Sequence, residues 1–256
     1  MNAKDFKDIE NPWANISWEN TIAEGDAAAI NEFNSKIEDE RLTVDTELLP
    51  EPFTGDLKTA KIVCLNLNPG ISDADERFKG NPRLLELTQK TLRNQLGYSM
   101  WFDEIKDDNE NPHPGCKWWK SHTKMLREKL AGGNGKEDLD GKELKLFVLE
   151  FFPYHTTSAS EFPSLASDEY RNYLLNKAME AGKLIVIMRS RERWFEIKTI
   201  VKDSDGNPIE LGKKLQQYEN KLYILNAQNA CLSENNLIDP KDFAKNWELL
   251  TDTLRA

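Results

Sequence analysis

Four short stretches of the chain are apolar at nearly every position, and this feature constrains the fold more than any other. They span residues 62–67, 144–152, 184–188 and 222–225. A strand with consecutive apolar residues is covered on both faces, as in a parallel sheet packed between helices. Segments with helical periodicity separate these stretches. We therefore predict an α/β fold, a three-layer αβα sandwich around a central, mostly parallel four-stranded sheet.

The segments between the apolar stretches carry the start and stop signals of helices. Asn81 and Pro82, for example, are typical of the N-cap and the first position of a helix. The polar segment DSDGNP, at 203–208, predicts a turn, at the tip of a hairpin or of an excursion of the chain. The predicted helices span residues 21–36, 81–96, 117–130, 167–181, 193–200 and 240–254.

No repeat, linker or low-complexity tract interrupts the 256 residues of the chain. We therefore expect one domain over residues 1–256, with residues 1–50 as a helical N-terminal extension. No apolar run is long enough to span a membrane. The first residues are polar and contain no apolar signal-peptide core, so we expect a cytoplasmic monomer without membrane partners.

The composition narrows the classes of partner and cofactor. A net charge of −10 argues against indiscriminate nucleic-acid binding, which depends on neutralising phosphates. The three cysteines and three histidines show no spacing typical of a metal site or disulfide framework, so we expect no metal or iron–sulfur cofactor. Local basic faces remain possible at Lys117, Lys120 and Lys124, and at Arg189, Arg191 and Arg193.

The segments that follow the four predicted strands are the candidate ligand site. In sheets of this kind, ligands bind outside the carboxyl ends of the strands. The segments are NPGIS at 68–72, PYHTTS at 153–158, RSRER at 189–193 and NAQNACLS at 226–233. Their content of Asn, Ser and His predicts a polar site at one edge of the sheet.

Two of these segments resemble motifs of a known family. LNLNPGIS is similar to the first motif of the uracil-DNA glycosylase superfamily, most closely the GINPG form of its mismatch-specific branch. YILNAQNACLS, followed by DFAKNWELL, is similar to the closing motif of that superfamily. The order and spacing of the strands between them also fit, and the resemblance covers roughly residues 55–254.

The resemblance implies a monofunctional DNA glycosylase without a cofactor, which flips a deaminated or abnormal base out of DNA and hydrolyses its N-glycosidic bond. In this reading Asn68 positions the attacking water, and Asn226 hydrogen-bonds to the departing base. Phe151, Phe152 or Tyr154 would stack on the base, and Ser72, Ser158 and Ser233 would contact phosphates. The implied substrate-binding residues are Pro69, Gly70, Ser72, Glu150, Phe152, Tyr154, His155 and Ser233.

The sequence departs from the family pattern at the site itself. Asn66 replaces the first glycine of GINPG, and Glu150 stands where uracil-specific members have a base-reading asparagine. A carboxylate cannot donate to uracil O4 unless it is protonated, although it can accept from an exocyclic amine. The closing loop is two residues longer than usual, which leaves Asn226, Gln228 and Asn229 as alternatives for the second catalytic residue.

These departures keep simpler interpretations open. Asn68 would then be a turn-forming residue, His155 a loop histidine, and Glu150 a buried partner of an arginine in RSRER. One of Trp118 and Trp119 would be a core residue, and the other is a candidate stacking platform. The alternative function is a non-catalytic protein with the glycosylase fold that binds a nucleotide, a base or modified DNA.

Overall fold

The computed structural model describes residues 6, 9–132, 139–157, 161–218, 221–226, 228, 230–237 and 243–255.

The central sheet is mixed but mostly parallel, which confirms the predicted fold class. The strands of the described residues are β1 (Phe53–Thr54), β2 (Ile62–Asn66), β3 (Leu146–Glu150), β4 (Leu184–Ile187), β5 (Ile200–Lys202), β6 (Pro208–Glu210) and β7 (Leu222–Ile224). Five of them form the central sheet in the order β1-β3-β2-β4-β7, and every neighbouring pair is parallel except β1 and β3. The four parallel strands are the four predicted ones. The fifth, β1, is a two-residue edge strand in a turn-rich segment without strand periodicity.

The α-helices are α1 (Ala27–Ser35), α2 (Pro82–Leu92), α3 (Pro114–His122), α4 (Lys124–Leu130), α5 (Asp168–Glu180), α6 (Arg191–Phe195), α7 (Leu211–Gln216) and α8 (Phe243–Arg255). All but α7, for which no helix was predicted, overlap the predicted intervals, with corrections at their ends. Asn81 caps α2 as predicted, because its side-chain oxygen accepts from the Leu84 N–H at 2.9 Å. The helix predicted over 117–130 is two helices, interrupted at Thr123.

The segment after β4 contains the largest error in the predicted secondary structure. The helix predicted over 193–200 begins earlier and ends at Phe195, and residues 200–202 form a strand instead. That strand, β5, pairs antiparallel with β6 across the predicted DSDGNP turn. The β-branched residues Ile200 and Val201 favour the strand, and their pairing with β6 is a tertiary interaction that local periodicity does not reveal.

The order of the parallel strands creates a switch point beside β2. The first parallel strand in the chain, β2, lies in the middle of the sheet, between β3 and β4. The chain therefore adds β3 on one side of β2 and then crosses over to add β4 on the other side. Asn66 is paired in register with Glu150, and Leu65 with Ile187. Ligand clefts of such sheets open where the strand order reverses, beyond the carboxyl ends of the strands. Asn66 and Glu150 occupy this position.

The N-terminal segment packs on the same core as the sheet. Trp13, Ile16 and Ile30 are buried in one hydrophobic cluster with the strand residues. The fully buried carboxylate of Asp26 accepts from the Tyr154 hydroxyl at 2.8 Å and from the N–H and hydroxyl of Ser167 at 2.9 and 2.6 Å. These bonds join the beginning of the chain to the exit of β3 and the entry of α5. No helix within the described ranges is long and apolar enough to cross a membrane.

We predict that Asp26→Ala destabilises the protein strongly. The substitution leaves three buried donors without an acceptor, and each orphaned group costs about 1–3 kcal/mol. The free energy of unfolding, measured by urea titration, should fall by about 3 kcal/mol or more. Glu32→Ala, which removes an exposed carboxylate of α1, should leave the urea midpoint nearly unchanged. An Asp26→Ala midpoint equal to that of the wild type would contradict the prediction.

Candidate functional site

A cavity of about 510 Å³ lies at the switch point of the sheet. Its lining comes from the ends of β2 and β3, the loops that follow β2, β3 and β4, and the first turns of α3. This volume is within the range of small-molecule sites. Six of the predicted site residues line it together: Asn68, Pro69, Gly70, Ser72, Glu150 and His155.

The aromatic residues predicted to stack on a base lie outside this cavity. The Tyr154 ring is buried, and its hydroxyl is engaged by Asp26 and by the Ala23 N–H at 3.1 Å. Phe152 is buried against Phe162, with ring centroids 4.4 Å apart and nearly parallel planes. Phe151 faces elsewhere, beneath the guanidinium of Arg171. These placements have two causes. Successive side chains of an extended segment point to opposite faces, and the N-terminal segment packs over the ring and hydroxyl of Tyr154.

The predicted closing-loop residues also lie outside the cavity lining. Asn226 is exposed, and its side-chain oxygen accepts from the Gln228 N–H at 3.1 Å. Gln228 is exposed as well. Ser233 is buried, and its carbonyl accepts from the Asn236 N–H at 3.1 Å. Asn229 and Ser158 lie outside the described residues.

Asn68 lines the cavity, and its side-chain amide is held in one orientation. Its Nδ2 donates to the carbonyl oxygens of Pro69 and Thr156 at 2.9 and 3.1 Å. Both amide protons are therefore committed to acceptors that cannot donate, which fixes the orientation of the amide. The Oδ1 atom accepts no hydrogen bond among the described residues. It is a pre-oriented acceptor, able to bind an O–H or N–H of a ligand or a water.

His155 holds the NPG turn in place. Its Nδ1 faces the Gly70 carbonyl at 2.7 Å, and its Nε2 faces the Leu49 carbonyl at 3.1 Å and the Glu51 carboxylate at 3.3 Å. Because all three partners only accept, both ring nitrogens must carry protons, and the ring is an imidazolium. Burial alone would lower the pKa of His155, but the hydrogen bond and charge of Glu51 and the bond to Gly70 raise it to about 9. His155 is thus a buried cation that clamps the loop, and it is unsuited to act as a general base at neutral pH.

A second clamp holds the next part of this loop. Both the N–H and the hydroxyl of Ser72 donate to the Asp75 carboxylate at 2.7 Å. His113 faces Asp75 through Nε2 at 3.8 Å, and its Nδ1 accepts from the Gly115 N–H at 3.0 Å. Burial lowers the pKa of His113 to about 4, so the ring is neutral. The hydroxyl of Ser72 is therefore used within the loop and not offered to a phosphate.

The floor of the cavity contains buried polar atoms without partners. Asn66 Nδ2 donates to Glu150 Oε1 at 3.0 Å, while Asn66 Oδ1, Glu150 Oε2 and Arg189 Nε have none. All three residues line the cavity. Unsatisfied polar atoms are costly in a protein interior, and a cluster of them beside one cavity makes it the candidate site for a polar ligand.

Glu150 is a buried carboxyl without a salt bridge. No ion pair within the described ranges joins it to Arg189 or to another arginine, so the pairing suggested as a structural alternative is wrong. Burial raises the pKa of Glu150 to about 8. The negative charge of Glu51 adds to this effect, whereas the Asn66 hydrogen bond and the charges of Arg189 and His155 oppose it. Glu150 is therefore mostly a neutral carboxylic acid at pH 7.

Aromatic side chains form one wall of the cavity. Trp118 is half-buried and stacks on His122, with centroids 3.8 Å apart, while Trp119 is buried behind it in the core. Trp118 is thus the indole with an accessible surface at the cavity. Lys117 and Lys120 are exposed on the same helix, α3.

No group of His, Cys, Asp and Glu in the described part of the chain is arranged to hold a metal ion.

No protein-family model matches the chain, and neither the curated proteins nor the solved structures include a significant match to it. The resemblance to the uracil-DNA glycosylase superfamily thus remains a prediction from the two motifs.

Sequence reasoning missed several residues that build the site. Glu51 lies just before β1, in a segment for which the sequence predicts no site role, and His113 and Asp75 lie in segments without a recognisable motif. Asn66 was considered only as a departure from glycine, whereas its buried amide forms part of the cavity floor. Two adjacent strands that each end in a polar residue, Asn66 and Glu150, were the available signal.

We predict that His155 stabilises the fold in a pH-dependent way. Its folded-state pKa, about 9, exceeds the ordinary value of 6.5, so its contribution is complete below pH 6.5 and is lost as the pH rises through 9. The shift corresponds to a contribution on the order of 3 kcal/mol. Urea unfolding between about pH 6 and pH 10 should show the wild type losing this much more stability than His155→Gln. Parallel pH profiles of the two proteins would show that the ring is not an imidazolium.

Proposed function

We propose that the protein is a DNA glycosylase-like hydrolase that removes a deaminated or otherwise abnormal base by cleaving its N-glycosidic bond. The observation that carries the proposal is the orientation of Asn68. Its amide protons are held by two backbone carbonyls, its Oδ1 has no protein donor among the described residues, and the residue lines a cavity of suitable size. A water that donates to this oxygen would be oriented with its lone pairs toward a bound ligand.

The proposed reaction needs positioning more than covalent chemistry. As the C1′–N bond breaks, positive charge develops on the sugar and negative charge on the base, and water then adds to C1′. Asn68 Oδ1 would hold that water. The base would lie against Trp118, with its polar edge toward the unpartnered atoms of Asn66 and Glu150.

The surroundings of the cavity support a nucleic-acid substrate. Lys117 and Lys120 flank the accessible tryptophan, so a flipped base could stack while the backbone on either side meets positive charge. These lysines would attract DNA to the cavity, whereas the net charge of −10 disfavours DNA binding elsewhere on the surface.

We predict that Asn68→Ala nearly abolishes base release and leaves the fold intact. Loss of one positioning group should lower the single-turnover rate by about 10²–10³. The assay detects abasic sites in oligonucleotides containing uracil, hypoxanthine, xanthine or mismatches. Asn207→Ala, at the exposed hairpin tip, is the matched control and should keep the wild-type rate. Wild-type rates in Asn68→Ala would remove this residue from the mechanism.

The runner-up function is binding of a base, nucleotide or modified DNA without cleavage. The position of Asn226 favours it, because this residue is exposed and does not line the cavity. A wild-type protein that binds an oligonucleotide and releases no base would support this alternative.

The contribution of the lysines can be tested in either case. Lys117→Glu combined with Lys120→Glu should weaken DNA binding and reduce the salt dependence of log Kd by roughly two units of slope, one for each lost phosphate contact. The control variant, Lys198→Glu with Lys213→Glu, changes the net charge by the same amount on exposed residues near the hairpin and should have little effect on DNA binding. Fluorescence anisotropy at several salt concentrations measures Kd and its salt dependence for each variant. Equal slopes of log Kd against log salt for the two variants would exclude a local basic face at α3.

A further inference from the structure

Glu150 is the most unusual titratable group in the cavity. It is 7% exposed, lies at the end of a central strand and carries a buried oxygen without a partner. A buried carboxyl that only supports the fold normally has both oxygens satisfied. The positioning of water by Asn68 leaves this group without a role.

We propose that Glu150 is the general acid of this site, donating its proton to a ring nitrogen of a departing purine-type base. The inference rests on the proposed function and deepens it by naming the substrate class and a second catalytic residue.

The hydrogen bond to Asn66 determines which oxygen carries the proton. Asn66 Nδ2 can only donate, so Glu150 Oε1 must accept at their 3.0 Å separation. The proton of the neutral acid therefore resides on Oε2, the atom that no protein group satisfies. Oε2 has almost no accessible surface, so a ligand in the cavity would accept this proton once a small rotation of the Glu150 carboxyl turns the atom toward it.

The groups around Glu150 have opposing effects on its pKa, so that the carboxyl is protonated before the reaction and can still give up its proton. Glu51, before β1, favours the protonated form, and Arg189 and His155, after β4 and β3, favour the ionised form. On β2, burial and the proximity of Glu150 raise the pKa of the Cys64 thiol to about 12, so it stays neutral. On α5, Asp168 and Arg171, which border a small void that Glu150 also lines, pair with each other at 2.7 Å. A pKa of about 8 is close to the optimum for a general acid near neutral pH.

The chemical step balances without a further reactant. The C1′–N bond breaks, its electron pair goes to the base, and the Oε2 proton moves to a ring nitrogen, so the base departs neutral. The Glu150 carboxylate then faces the cationic sugar. The water held by Asn68 adds to C1′ and loses a proton, which restores the acid. The net reaction is hydrolysis to the free base and the abasic sugar.

Purines gain most from this arrangement. They have basic ring nitrogens that are not bonded to the sugar, so protonation converts the base into a neutral leaving group. Uracil instead departs as an anion, which requires neutral hydrogen-bond donors rather than an acid. The cavity volume also accommodates a two-ring base.

The test compares two purines that differ in their need for an acid. Glu150→Gln keeps an oxygen to accept from Asn66 but has no proton to transfer. It should lower single-turnover release of hypoxanthine from DNA by about 10²–10⁴. Release of 7-methylguanine, which is already cationic and leaves neutral without protonation, should fall by about tenfold at most. The wild-type hypoxanthine rate should decrease as the pH rises through about 8, and the Glu150→Gln rate should not.

The outcomes that contradict the inference also show whether the proposed function fails with it. Equal losses on both purines, a pH profile unchanged by Glu150→Gln, or a wild type that releases only uracil would reject the general acid and leave the proposed function standing. A wild type that releases no base would reject both. Infrared spectroscopy adds a readout without turnover. A carboxylic acid C=O band should be present at about pH 6.5, lost at about pH 9.5 and absent in Glu150→Gln, and its absence in the wild type would reject the inference.

Discussion

The hydrogen bond between Asn66 and Glu150 is the interaction on which the site depends. It joins the ends of two adjacent parallel strands in register, at the point where the apolar sheet opens into a cavity. Burial of an amide and a carboxyl at this depth costs free energy unless each polar atom finds a partner. One atom of each residue does not. Violations of this kind are concentrated at functional sites, because a sequence optimised only for stability would place apolar residues there.

The loop after β2 is pre-organised by three independent contacts. Asn68 binds two backbone carbonyls, the His155 imidazolium binds the Gly70 carbonyl, and Asp75 holds Ser72. These contacts reach the segments after β3 and before β1, so the loop is fixed from several sides. An acceptor oxygen on such a loop needs little reorganisation when charge develops in a ligand, which is the main requirement for electrostatic catalysis. The extended N-terminal segment contributes directly, since Leu49 and Glu51 face the other side of the His155 ring.

The sequence predicts the architecture better than the details of the site. Consecutive apolar residues identify the four parallel strands, and the rule that ligands bind beyond their carboxyl ends leads to Asn68, Gly70 and His155, whereas Glu150 was singled out only by the family resemblance. The stacking residues were wrong because Phe152 and Tyr154 pack against distant parts of the chain, Phe162 and Asp26, which no local pattern reveals. Glu51 and His113 could not be identified as site residues from the sequence, because only the fold brings their segments to the cavity. In physical terms, periodicity reports which faces are buried, whereas the composition of a cavity depends on tertiary contacts.

The titratable side chains of His155 and Glu150 have opposite electrostatic roles in the cavity, one cationic and the other neutral. His155 is kept cationic because three acceptors surround its ring, while Glu150 is kept neutral because its environment is dry and it lacks a cationic partner in contact. A ligand that accepts from Oε2 would stabilise the neutral acid further, since it binds only that form, and would raise its pKa. Under the proposed role of Glu150, binding and protonation would therefore be linked. The site would bind an acceptor most tightly at a pH where the acid is intact, and it would release the product more easily after proton transfer, because the resulting carboxylate no longer donates to it.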